Sequence, residues 1–148
     1  MAKPLFHYST RDTLLSIGGF PIDTGMSESN FVEIEPAQAY DKVIGADGSY
    51  TRFRTGDNGA GIKIRTKFTS PGNIILTSLF LSDRFAPNGA PAASFLWVHH
   101  FGAFSFSAHK VWIEKYPAIQ GSHQPQDLEW QLQTDDLVCV FPGFIPVL

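Results

Sequence analysis

Between Ile62 and Phe68 the chain alternates without a fault. Ile62, Ile64, Thr66 and Phe68 fall on one side, and Lys63, Arg65 and Lys67 on the other. A period of two with one apolar and one cationic side describes a strand that buries one face and exposes the other. A second segment does the same: Leu128, Trp130 and Leu132 alternate with Glu129, Gln131 and Gln133. Glycines at 45, 48, 56, 59 and 61 flank the first strand and supply turn conformations that residues with a Cβ resist. After Phe68 the period changes. Ser70 suits an N-cap and Pro71 a first helical position, and Ile74, Ile75, Leu76, Leu79 and Phe80 form a wide apolar stripe.

Around this nucleus the other segments also read as short strands. Thr13 to Ile17 ends at Gly18-Gly19. Phe31 to Glu35 alternates and is closed by Pro36, which confines it to an edge or ends it. Lys42 to Ile44 and Tyr50 to Arg54 flank an Asp47-Gly48 turn. Ser94 to His100, Phe101 to Ser107, Val111 to Lys115 and Leu137 to Phe141 complete the set, with Gly102 as a turn or bulge. Phe85 to Ala93 and Ile119 to Pro125 read as loops. About eight strands and one helix give a mainly β chain, an antiparallel sandwich or open barrel with one flanking α-helix. The expected core is Ile62, Ile64, Phe68, Ile75, Leu79, Trp130 and Leu132. Residues 1–148 read as one domain, without repeat or linker. The apolar Phe144-Ile-Pro-Val-Leu148 end would be a liability in water and is expected to dock, with a neighbouring subunit as one candidate surface.

Composition removes several function classes. A net charge of −3 argues against a dedicated nucleic-acid binder, which needs surplus cations to neutralise phosphates. The single cysteine, Cys139, excludes an internal disulfide framework and reads as buried and inert. No apolar run reaches the ~20 residues of a membrane span. The start lacks a secretory signal's apolar segment, so a soluble intracellular product is expected.

Catalytic and metal chemistry find little support. His99 and His100 are strand neighbours and point to opposite faces, so they are poor co-ligands. Asp47-Gly48 and Asp57-Asn58-Gly59 are turn chemistry, and 57–61 lacks the spacing of a calcium loop. Ser16, Ser94 and Ser107 sit in no nucleophile elbow, and the glycine clusters match neither a phosphate loop nor a dinucleotide fingerprint. No enzyme, cofactor or metal is expected. Charge is uneven, however. Lys42, Arg52, Arg54, Lys63, Arg65 and Lys67 crowd one stretch, while Glu129, Asp135 and Asp136 occupy another without a cation. On two solvated faces this is unremarked; in an assembly, opposite-sign surfaces would select the register of neighbouring copies.

The order Ile44-Gly-Ala-Asp-Gly-Ser49, Gly61 and an alternating strand, then Thr69-Ser-Pro-Gly-Asn73 before a short helix, resembles the phage tail tube family of contractile, myovirus-type tails. Lys110 to Pro117 followed by Leu128-Glu-Trp-Gln-Leu132 looks like that family's penultimate hairpin. The resemblance covers about 42–81 and 108–135; residues 1–30 and 85–107 depart from it. It implies a structural virion protein whose subunits form stacked hexameric rings, a ring-shaped β-barrel conducting the genome. It implies as partners further copies, the tail sheath, a baseplate hub or initiator, a tail terminator, and tape-measure protein and DNA passing without specific binding. It places the chain in the virion after assembly in the host cytoplasm. Lys63, Arg65, Lys67, Glu129, Gln131 and Gln133 would then face the lumen or a neighbouring subunit. A close functional alternative is the inner tube of a contractile injection or type VI secretion apparatus. A rival from another class is a monomeric carbohydrate-binding β-sandwich using Trp97, Trp112 and Tyr116 as stacking surfaces.

Overall fold

A computed structural model describes residues 3–23, 25–27, 31–88 and 93–144. The strands are β1 (Thr13–Ile17), β2 (Phe20–Pro21), β3 (Val32–Pro36), β4 (Tyr40–Ile44), β5 (Tyr50–Arg54), β6 (Ala60–Lys67), β7 (Ala93–His99), β8 (Ser105–Lys115), β9 (Asp127–Thr134) and β10 (Leu137–Val140), with one helix, α1 (Gly72–Arg84), between β6 and β7. Eight strands form one antiparallel sheet in the order β2-β1-β7-β8-β9-β6-β3, with β10 also on β8. β4 and β5 form a separate two-stranded sheet. The chain is mainly β with one helix, and among the described residues the end strands β2 and β3 are not paired to close the sheet into a barrel.

The two alternating segments are next-door neighbours at the centre of the sheet. Ile62 opposes Leu132, Ile64 opposes Trp130 and Thr66 opposes Leu128. These six side chains are all buried, because a pair in antiparallel register shares a face. Leu15, Ile17, Phe95, Ala108, Val111 and Ile113 from β1, β7 and β8 join the same cluster. The sheet therefore wraps one core, and the Phe31 and Trp97 rings meet edge to face across it at 6.3 Å.

Helix α1 covers this core. Leu76 is fully buried, Leu79 and Phe80 pack against the cluster, and Ile75 is half-buried. Ile74, part of the expected stripe, points outward at 71% exposure. The helix begins at Gly72, and Ser70 Oγ accepts the Gly72 N–H at 3.2 Å. A side chain at Gly72 would put its Cβ 2.9 Å from Ile22 Cγ2, so the close approach of helix to chain requires glycine there.

Phe68 corrects the expected core. β6 ends at Lys67, and Phe68 lies in the following turn at 47% exposure. The alternation fails once the backbone leaves the strand. β8 is a second correction. It runs as one strand of 11 residues from Ser105, with a register shift absorbed in its middle, instead of two separate strands. From Ile113 back to Ser105, β9 and β10 lie along β8 in one register, Thr134 opposite Val111 and Leu137 opposite Ala108, with Asp135-Asp136 interrupting only the ladder; a shift falls between Ile113 and Lys115. The loop expected at 85–93 lies partly outside the described residues, as do residues 145–148 of the apolar C-terminus. Phe144 is half-buried, its ring against Tyr8 and His99.

One side chain ties helix to sheet. Asn73 Oδ1 accepts from Thr66 Oγ1 at 2.6 Å and from Trp130 Nε1 at 3.1 Å, while its Nδ2 donates to the Lys67 and Phe68 carbonyls at 3.0 and 3.2 Å. Replacing it leaves the buried Trp130 N–H and Thr66 hydroxyl without partners. Asn73→Ala is expected to lower unfolding stability by about 2–4 kcal/mol, and Trp130→Phe, which keeps the ring, by about 1–2 kcal/mol. Urea titration with an unchanged m-value checks both; a loss under about 0.5 kcal/mol for Asn73→Ala would refute the role given to it.

Candidate functional site and assembly surfaces

The polar faces of β6 and β9 come together as the buried ones do. Lys63 opposes Gln131, Arg65 opposes Glu129 and Gly61 opposes Gln133, while β3 adds Glu33 opposite Lys63. Five of the six polar residues singled out by periodicity thus share one outward patch, and Lys67 extends it at the end of β6, opposite Asp127. Lys63 and Arg65 have carboxylate partners within the protomer. Arg65 contacts Glu33 at 3.2 Å and Glu129 at 3.8 Å, and Lys63 reaches Glu129 at 3.9 Å. The cationic stretch 42–67 and the acidic stretch 128–136 meet in part here: sheet pairing places Lys63 and Arg65 beside Glu129 in one protomer. The result is a hydrated, internally balanced wall.

The second surface is the β4–β5 hairpin. Every one of its strand residues is exposed. It continues the β3–β6 pair, but the pairing shifts by two residues at the joint, where Pro36 opposes Ala60 and Tyr40 opposes Arg54. Thr55 closes this joint, its N–H donating to the Ala39 carbonyl at 3.0 Å and its hydroxyl to the Gln38 carbonyl at 2.6 Å. Cross-strand pairs define two faces. Tyr40, Lys42, Ile44, Tyr50, Arg52 and Arg54 share one; Asp41, Val43, Thr51 and Phe53 share the other. Arg52 sits over the Tyr40 ring at 4.4 Å and Lys42 near the Tyr50 ring at 5.2 Å. At the hairpin turn the Ser49 hydroxyl, then its backbone N–H, hold the Asp47 carboxyl below its usual pKa. An isolated two-stranded hairpin is marginal in water. One that also exposes Val43, Ile44, Tyr50 and Phe53 is built to be covered. Periodicity showed these strands but not that all their residues are exposed.

Other candidates disperse. His99 is buried and His100 exposed, facing opposite ways. Among the described residues no group of three or more His, Cys, Asp or Glu side chains is placed to hold a metal ion. Cys139 is exposed on β10, against the expectation of burial, and desolvation by its surroundings raises its thiol pKa. Trp97, Trp112 and Tyr116 form no common platform. Trp97 is stacked among Phe104 and Phe106, Tyr116 packs on Phe80 and Trp130, and Trp112 lies beside Gln133 on the outward face.

No protein-family profile matches the chain. A curated relative, "Structural protein ORF10" of Pseudomonas phage KPP10, is 27% identical over 108 residues, covering 72% of this chain and 62% of its own length. The matched stretch therefore spans less than two thirds of that relative. Three solved chains share the fold. One belongs to the sheath-tube complex of the extracellular contractile injection system PVC in its extended state, with TM-score 0.59, 14% identity, and 90% of each chain covered. Another comes from the tube-terminating cap of the anti-feeding prophage AFP, with TM-score 0.59, 9% identity, and 95% and 93% covered. The third comes from the PVC sheath/tube terminator, with TM-score 0.60, 12% identity, and 91% and 97% covered. These likenesses fit the tail tube family that the sequence motifs resemble, and the matched proteins are structural, not enzymes.

The ion-pair wall makes a modest contribution to folding. Its members are partly exposed, so Glu129→Gln is expected to cost less than about 1 kcal/mol and to cost still less at high salt. Thermal or urea unfolding at two ionic strengths checks this; a salt-independent loss above about 2 kcal/mol would contradict it.

Proposed function

We propose that this chain is a tube subunit of a contractile phage tail or a related injection particle. Copies join side by side into rings, hexameric as the tail tube resemblance implies, and rings stack into a conduit for genome delivery. The observation that carries this reading is the hairpin left bare on both faces, on a fold shared with chains of tube and terminator assemblies. A protomer with uncovered strands completes itself most simply with copies of itself, and a head-to-tail contact that repeats gives an open tube. The β3-β6-β9 wall suits the lumen. At its centre Lys63 and Arg65 are already paired with Glu33 and Glu129, so that part offers passing DNA or tape-measure protein few adhesive sites. The tail sheath, a baseplate hub or initiator, and a tail terminator are the remaining partners of such a tube, which would be built in the host cytoplasm and carried in the particle.

A tube-end cap or terminator is the second reading, favoured by the likeness to the AFP cap and PVC terminator chains. Negative-stain images separate the two. Tubes longer than a few rings support the tube subunit, and single closed rings support the cap. A ~16 kDa monomer at every concentration would defeat both readings.

Removing residues 40–54 and rejoining the joint with a short Gly-Ser turn tests the hairpin. The shortened chain is expected to keep its fold and its unfolding midpoint while losing higher assembly. Circular dichroism and sedimentation velocity read the two effects. Assembly undiminished in the shortened chain would refute the part given to the hairpin.

A further inference from the structure

With Lys63 and Arg65 satisfied inside the protomer, two exposed and oppositely charged surfaces remain unmatched. One is the hairpin face carrying Lys42, Arg52 and Arg54, none of which makes an ion pair among the described residues. The other surrounds the base of the hairpin. Glu35 lies opposite Gly61, Asp57 accepts the Gly59 N–H at 2.9 Å, and Asp136 bridges to Asn58 with Asp135 beside it. All four carboxylates are exposed, and none is ion-paired among the described residues.

We propose that the cationic, aromatic face of the hairpin docks on the acidic end, Glu35, Asp57, Asp135 and Asp136, of a second copy. This rests on the reading of the chain as a self-assembling subunit and adds which surfaces meet. Each copy offers one surface of each sign, so the contact is heterologous and repeats from copy to copy. Opposite charge selects these surfaces over others and sets the register in which they meet. The cations are preorganised. Arg52 and Arg54 flank Tyr40 at 4.4 and 5.8 Å, and Lys42 leans on Tyr50, so little side-chain freedom is left to lose on docking. The two tyrosines and Ile44 bring apolar area to the same face, which supplies affinity while the charges supply selection.

The test uses the full chain and its own assembly, read by sedimentation velocity and negative-stain images at about 150 mM salt. Two reversals are made, K42E/R52E/R54E and E35K/D135K/D136K, and then their combination. Asp57 is left in place because it caps the Gly59 N–H. Each reversal alone is expected to raise the concentration for half-assembly about tenfold or more, and the combination to return it to within about threefold of the parent. Circular dichroism confirms the fold of each. If a reversal does not fold, the neutral sets K42Q/R52Q/R54Q and E35Q/D135N/D136N replace it, with an expected rise of about threefold each. A parent chain that never assembles overturns the subunit reading itself. A parent that assembles while both reversals assemble equally well overturns the docking proposal alone, as does a combination that fails to recover.

Discussion

Asn73 is where three parts of this protein are held at once. Its amide oxygen takes protons from the indole of Trp130 on β9 and the hydroxyl of Thr66 on β6, and its nitrogen closes the turn after β6. Trp130 and Thr66 are both fully buried, so each polar group would be a deficit in the core without that partner. The position of the helix follows from this arrangement, since Asn73 stands in its first turn. The helix in turn lies against β8 and, through Phe80 on Tyr116, against the ring that packs on Trp130, and the central strands are left with only their polar side in water.

That one-sidedness leads directly to the surfaces that matter for function. Because the inner faces of β6 and β9 are committed to the core, their outer faces carry all the charged residues of both strands, and antiparallel register puts acid beside base. The wall is neutralised locally by Glu33 and Glu129 and is poorly suited to select partners. In the proposed assembly selection falls instead to the hairpin, whose strand residues are all exposed. The division of labour is physical: paired charge makes an inert surface, and unpaired charge with exposed apolar area makes a docking surface.

Much of the fold was legible from local pattern. Ile62, Ile64, Leu128, Trp130 and Leu132 lie in clean alternation, and burial follows the alternation as long as the strand lasts. Phe68 fits the alternation too but lies one residue past the strand's end, and the period says nothing about where a ladder stops. In the N-terminal half of β8 Phe and small residues alternate, yet burial does not follow, since Ser105, Phe106 and Ser107 are all half-buried and Ala108 is buried. Cys139 looked buried in an apolar run, yet β10 is an edge segment and exposes it.

By itself the sequence determined most of the strand segments, that a helix follows Ser70-Pro71, and which side of β6 and β9 faces inward. Those are consequences of side-chain period and turn chemistry, which act over a few residues. Only the tertiary structure decided that β3 and β9 flank β6, and therefore that Lys63 and Arg65 find carboxylates at home. It also decided that the strands on either side of Asp47-Gly48 leave the sheet uncovered. Pairing between distant strands is a matter of which edges meet in space, and no local period encodes that.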